Sequence, residues 1–123
     1  TRIVEMNRML QLTNRAVITI SPNEPFLRWV QTADANSAHI TMEDINEASH
    51  AYLVDDSEDG SEPDSLVRKN FKSIFEEELS GWYTDESMWP QKRDLKTFRQ
   101  WFTVTVHGIV LDLGKKPPVV EEW

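Results

Sequence analysis

The sequence predicts an α+β (or small α/β) fold, a two-layer sandwich in which a three-stranded sheet carries helices mainly on one face. Three observations predict it. RAVITIS (15–21), HAYLV (50–54) and TVTVHGIVLDL (103–113) are short and rich in β-branched or alternating apolar residues, as strands are. Between them lie two pairs of stretches with helical spacing, most of them opened by a capping signal, which gives the order β-α-α-β-α-α-β. The helical stretches are apolar on one side, so laying them across one face of the sheet is the simplest packing that buries both periodicities.

Each element has its own justification. Residues 1–14 show no clear period and read as a loose lead-in. The chain opens at Thr1, and Met6 and Met9 are candidate natural starts. Val17, Ile18, Thr19 and Ile20 make the first strand. SPNEP breaks it; Asn23 is placed to cap a helix, with Pro25 tolerated in its first turn and Phe26, Leu27, Trp29 and Val30 as its apolar side. Thr41 to Asp44 has the form of a capping box with Asp in place of Glu, opening a short helix through about Ala48. HAYLV is the second strand.

Ser61-Glu-Pro-Asp64 starts the most periodic helix. Val67, Phe71, Ile74, Phe75, Leu79 and Trp82 lie along one stripe, and Gly81 is expected to end the helix in a left-handed conformation. Asp94 caps the next helix, where Leu95, Phe98, Trp101 and Phe102 share a face and Lys92, Lys96 and Arg99 line another. In the last strand apolar residues occupy even positions at Val104 and Val106, then odd positions at Ile109, Leu111 and Leu113. That switch predicts a β-bulge or bend at Gly108. Residues 15–113 thus form a single domain, and 114–123 an extended tail shaped by Pro117 and Pro118.

Charge narrows the function classes. The chain has 123 residues and a net charge of −8, which argues against nucleic-acid binding, since phosphate contact needs Lys and Arg. No Lys or Arg falls between Arg28 and Arg68, where ten acids lie; elsewhere eleven acids meet thirteen bases. The acidity therefore belongs to one segment, which can attract basic partners or cations. The absence of cysteine excludes disulfides and thiolate metal sites and fits a reducing compartment. No apolar run approaches the ~20 residues that cross a bilayer, so no membrane is expected.

Three stretches carry candidate chemistry. VDDSEDGSEPD (54–64) partly matches a calcium loop, with Asp55, Ser57 and Asp59 at ligand positions and Gly60 at the turn, but position 12 is Leu66 instead of a bidentate Glu. It reads first as a solvated connector. GWYTDESMWP (81–90) sets Trp82, Tyr83 and Trp89 beside Asp85 and Glu86; these five are the candidate binding residues, although aromatics at a helix junction also fill space between elements. Of the three histidines, His39 and His50 lie in different elements. His107, on the last strand beside Thr103 and Thr105, is a weak candidate general base with Asp85, Glu86 or Asp112 as its orienter. No hydrolase elbow, zinc-protease, P-loop or dinucleotide motif is present, and no cofactor is expected. Glu76, Glu77 and Glu78 in the last turn of the long helix break the dipole rule, and such breaks sometimes mark functional sites.

The string FEEELSGWYTDESMWP (75–90), with the following FxxWF helix and apolar strand, resembles a family of small acidic bacterial proteins of unassigned function. The resemblance spans about residues 15–113 and is strongest over 71–113. It implies a bacterial, cytoplasmic, single-domain protein, and no catalytic or binding residue travels with it. The leading expectation is a non-catalytic interaction or regulatory module. It would engage a basic protein partner through its acids and the 82–89 aromatics, or a second copy through the Lys92/Lys96/Arg99 face. The alternative is a small acid–base enzyme centred on His107 with Asp85 or Glu86.

Overall fold

In the computed structural model, which describes residues 11–56 and 62–121, the chain folds as α+β with a three-stranded antiparallel sheet and helices. Strand β1 is Gln11–Leu12 and β2 is Arg15–Pro22. Helix α1 (Glu24–Ala33) and helix α2 (Met42–Glu47) follow, then β3 (Ala51–Asp55) and the long helix α3 (Pro63–Trp82). Helix α4 (Leu95–Trp101) runs directly into β4 (Phe102–His107), and β5 is Leu111–Asp112. In the sheet β2 is central, between β3 and β4, with Ile18 opposite both Tyr52 and Val106.

Strand alternation separates the two faces. Ala16, Ile18 and Ile20 of β2, Val54 of β3 and Phe102 of β4 are buried beneath the helices. The opposite face carries Val17, Thr19, Leu53, Thr103 and Thr105, half-buried or exposed. Phe26 and Val30 of α1, Ile45 of α2, Leu66, Val67, Ile74, Phe75 and Leu79 of α3, and Phe98 of α4 complete the core. Its centre is aromatic: Phe98 and Phe102 have centroids 5.2 Å apart, and Phe75 lies 5.6 Å from Phe98. Each buried phenyl contributes about 1.5–3 kcal/mol relative to exposure.

Local signals worked as expected at two helix starts. Thr41 and Asp44 form the reciprocal capping box, and the Asp94 carboxylate accepts the Thr97 amide at 2.8 Å. Asn23 occupies its cap position but spends its side chain elsewhere: its amide donates to the Gln100 carbonyl and its oxygen accepts the Thr103 hydroxyl. It thereby clamps the start of α1 to the α4–β4 junction.

Three expectations need correction. Gly81 does not end α3. The helix passes through it to Trp82, and the chain turns out at Tyr83, an extended residue whose amide still bonds to the Leu79 carbonyl. The Tyr83 hydroxyl donates to the Val30 carbonyl, so packing against α1 ends the helix there. Second, the expected bend at Gly108 is present, but the strand does not continue through it: β4 stops at His107, and β5 leaves the sheet to pair with β1. From Val17–His107 to Leu12–Leu111 is five residues on one chain segment and four on the other, so the extra residue lies on the N-terminal strand. Third, residues 11–12 of the expected lead-in are a paired strand.

Candidate functional site

The aromatic connector is held from within. Trp82, Tyr83 and Trp89 are half-buried. The Trp89 indole donates to the Tyr83 carbonyl at 2.7 Å, and the Trp29 indole donates to the Met88 carbonyl at 2.9 Å. Trp29 meets Tyr83 edge-on at 5.2 Å, and the Arg93 guanidinium lies 5.6 Å from the Trp89 ring centroid. The Tyr83 hydroxyl and the Trp29 indole thus staple residues 83–90 to α1, and the Trp89 indole closes the connector on itself. Asp85 and Glu86 are exposed on that connector. Asp85 accepts the Ser87 hydroxyl at 2.7 Å and its amide at 3.0 Å, and these two bonds hold its carboxyl below the usual range.

His107 is exposed at the end of β4, on the face of Thr103 and Thr105. Among the described residues no hydrogen bond or ion pair joins it to Asp85, Glu86 or Asp112, so the structure does not assemble that constellation. Of the calcium-loop candidates, Ser57 and Asp59 lie outside the described residues, and Asp55 ends β3 bonded to Arg15. Among the described residues no three His, Asp or Glu side chains group to hold a metal ion.

A different cluster has been brought together. Glu78 is the buried acid of α3, 8% exposed. Its Oε2 accepts the Tyr52 hydroxyl and lies 2.8 Å from Nδ1 of His50. His50 immediately precedes β3 and Tyr52 lies within it, two residues apart and therefore on one face, and their rings are 6.1 Å apart. Burial first, then the bond to Glu78 and its charge, raise the Tyr52 phenol well above its ordinary value.

This cluster forms the wall of an open hollow between β3 and the end of α3. One part, about 450 Å³, is lined by His50, Ala51, Tyr52, Ser73 and Glu77. An adjoining part, about 250 Å³, shares His50 and Glu77 and extends to Ala48, Glu78, Gly81 and Trp82. The helix ends here with its negative pole, and its last turn holds no basic residue. Two glutamates and the negative end of a helix thus border space that suits a cation, with Trp82 beside them.

His50, Tyr52 and Glu78 had a signal in the sequence. His50, Tyr52 and Val54 share the parity of the buried strand residues. Glu78 continues the Val67, Phe71, Ile74 stripe at helical spacing, so a carboxylate occupies a core position. Taking Glu76–Glu78 together as a break of the dipole rule, without placing each on a helix face, concealed it. No protein-family model, curated protein or solved structure matches the chain. No helix among the described residues is long and apolar enough to cross a membrane.

Proposed function

We propose that the chain is a non-catalytic protein-interaction module of the bacterial cytoplasm, taking a Lys or Arg side chain of a basic partner protein in the hollow between β3 and α3. One observation carries the reading: Glu77 and the anchored Glu78 frame that hollow at the negative end of a helix whose last turn has no cation. Trp82 also lines the hollow, and a cation seated over the face of an indole gains about 0.5–1 kcal/mol at an exposed site. The resemblance to small acidic bacterial proteins and the lack of cysteine support the setting. Of the five binding residues expected from sequence, Trp82 lines the hollow and Tyr83 and Trp89 fix the connector's shape. Asp85 and Glu86 add exposed charge beside them.

The test is an NMR titration with a short Lys- and Arg-containing peptide against an acidic peptide of equal length. The basic peptide is expected to shift amides over 50–52 and 77–82, to lose affinity in Glu77→Gln, and to weaken as salt rises beyond about 0.15 M. Shifts that ignore the hollow, or survive Glu77→Gln unchanged, would defeat the reading.

The Tyr52–Glu78–His50 chain supports a second reading. An imidazole held by a buried carboxylate is the orienting half of an acid–base site. An enzyme here would centre on His50, with Glu78 as its orienter, in place of His107. Turnover of a small ester or phosphoester panel that disappears in His50→Ala would favour it over the binding module.

A further inference from the structure

The open face of the sheet ends in an apolar groove that the core does not explain. After the bend at Gly108 the apolar positions change parity, and the result is exposure: Ile109, Leu111 and Leu113 are 74%, 49% and 71% exposed. Leu53, on the outer face of β3, shares one groove with Leu111, Leu113 and the tail residues Pro118, Val119 and Val120. The groove is about 880 Å³ and separate from the acidic hollow. Contiguous apolar surface of this kind marks an interaction site when it is not a folding defect.

The tail states what fits there. Asp112 Oδ1 accepts the Gly114 amide at 2.7 Å and turns the chain out of β5. A Cβ at 114 would sit 2.9 Å from that oxygen, so a larger residue there would push the Asp112 side chain aside and disturb this bond. Beyond it the order is Lys115, Lys116, Pro117, Pro118, Val119, Val120, Glu121, all exposed. Bases come first, acid comes last, and apolar residues lie between. Two such tails running antiparallel, with a two-fold axis between Pro118 and Val119, place Lys116 of each copy opposite Glu121 of the other. Every contact then occurs twice, as an isologous dimer requires. Pro117 and Pro118 have no amide proton, so the contact is made by side chains rather than by a strand ladder.

We propose that a second copy of this chain docks on the Leu53–Leu111–Leu113 groove, the two tails lying antiparallel with Val119 and Val120 of each copy against the groove of the other. Apolar burial drives the association and the Lys116–Glu121 pairs set its register. Each protomer carries −8, so distant charges oppose pairing and added salt relieves that opposition. The dimer therefore persists in salt that dissolves contacts at the acidic hollow. The proposal is independent of what the hollow binds.

Sedimentation velocity over a concentration series tests it. The wild-type chain is expected to show a reversible monomer–dimer equilibrium that survives raised salt. Val120→Asp, at a position 94% exposed and outside the core, is expected to return it to monomer without loss of folding. Lys116→Glu weakens the dimer several-fold, and the double variant Lys116→Glu, Glu121→Lys restores it. A wild-type chain that stays monomeric into the millimolar range overturns the proposal and leaves the groove to another protein. So does a dimer indifferent to Val120→Asp, or a charge swap that fails to restore pairing.

Discussion

Glu78 shows how one side chain can belong to both a core and a site. It sits on the stripe that buries Ile74 and Leu79, and its carboxylate is satisfied there by Tyr52 and His50. Glu78→Ala leaves that phenol and imidazole without their shared acceptor, and the expected loss is about 1–3 kcal/mol in urea unfolding. Tyr52→Phe removes one of the donors and keeps the His50 contact, so it is expected to cost only about 1 kcal/mol. The same phenol gives an alkaline signature. Burial and Glu78 raise its folded value, so the unfolded chain releases that proton first. Stability is intact below pH about 10 and falls as pH rises above it. Tyr52→Phe is expected to flatten that fall in a pH series of thermal midpoints. Asp44, Asp85 and Asp94 act in the other direction: hydrogen bonds to Thr41, Ser87 and Thr97 hold their carboxyls low. Their contribution is present above about pH 4 and is lost as pH falls through their folded values.

At the scale of elements, legibility followed the range of the interaction that decides each feature. Caps are decided within a few residues, so Thr41, Asp44 and Asp94 could be read directly. So could the stripe of α3, whose period is internal to the helix. The end of α3 could not, because it is set by Tyr83 reaching the Val30 carbonyl, 53 residues away in sequence. After β4 the parity switch marked the bend at Gly108, but the pairing of β5 depends on β1, a partner about a hundred residues upstream, and could not be read. The hollow escaped notice because its members lie on two elements and only strand parity joins them. The misplaced helix end makes Gly81 testable. It is helical, has no left-handed backbone, and a Cβ there meets nothing within 4 Å. Gly81→Ala is therefore expected to stabilise the protein by about 0.5–1 kcal/mol, by limiting the unfolded chain and favouring the helix. A left-handed Gly81 would instead make the same substitution destabilising, so the sign of the change in urea midpoint decides between the two geometries.

For the molecule as a whole, β3 is the element that matters most. Tyr52 points to the helix layer and the acidic hollow, whereas Leu53 points to the outer face and the apolar groove. Adjacent residues on a strand face opposite ways, so one five-residue edge strand serves two surfaces with opposite physical character. One surface is charged and sensitive to salt; the other is apolar and tolerant of it. Coupling between them would need β3 to move relative to β2. The five paired positions from Arg15–Asp55 to Thr19–Ala51 oppose that, as does Val54, buried in the core. A ligand shifts an equilibrium only by the difference in its affinity for the two states, and a rigid strand offers none. Peptide affinity at the hollow is therefore expected to be the same, within about twofold, for wild type and for the Val120→Asp monomer. Calorimetric titration of the basic peptide into each checks this. A larger difference would mean that docking on one face of β3 displaces Tyr52, and with it Glu78, on the other.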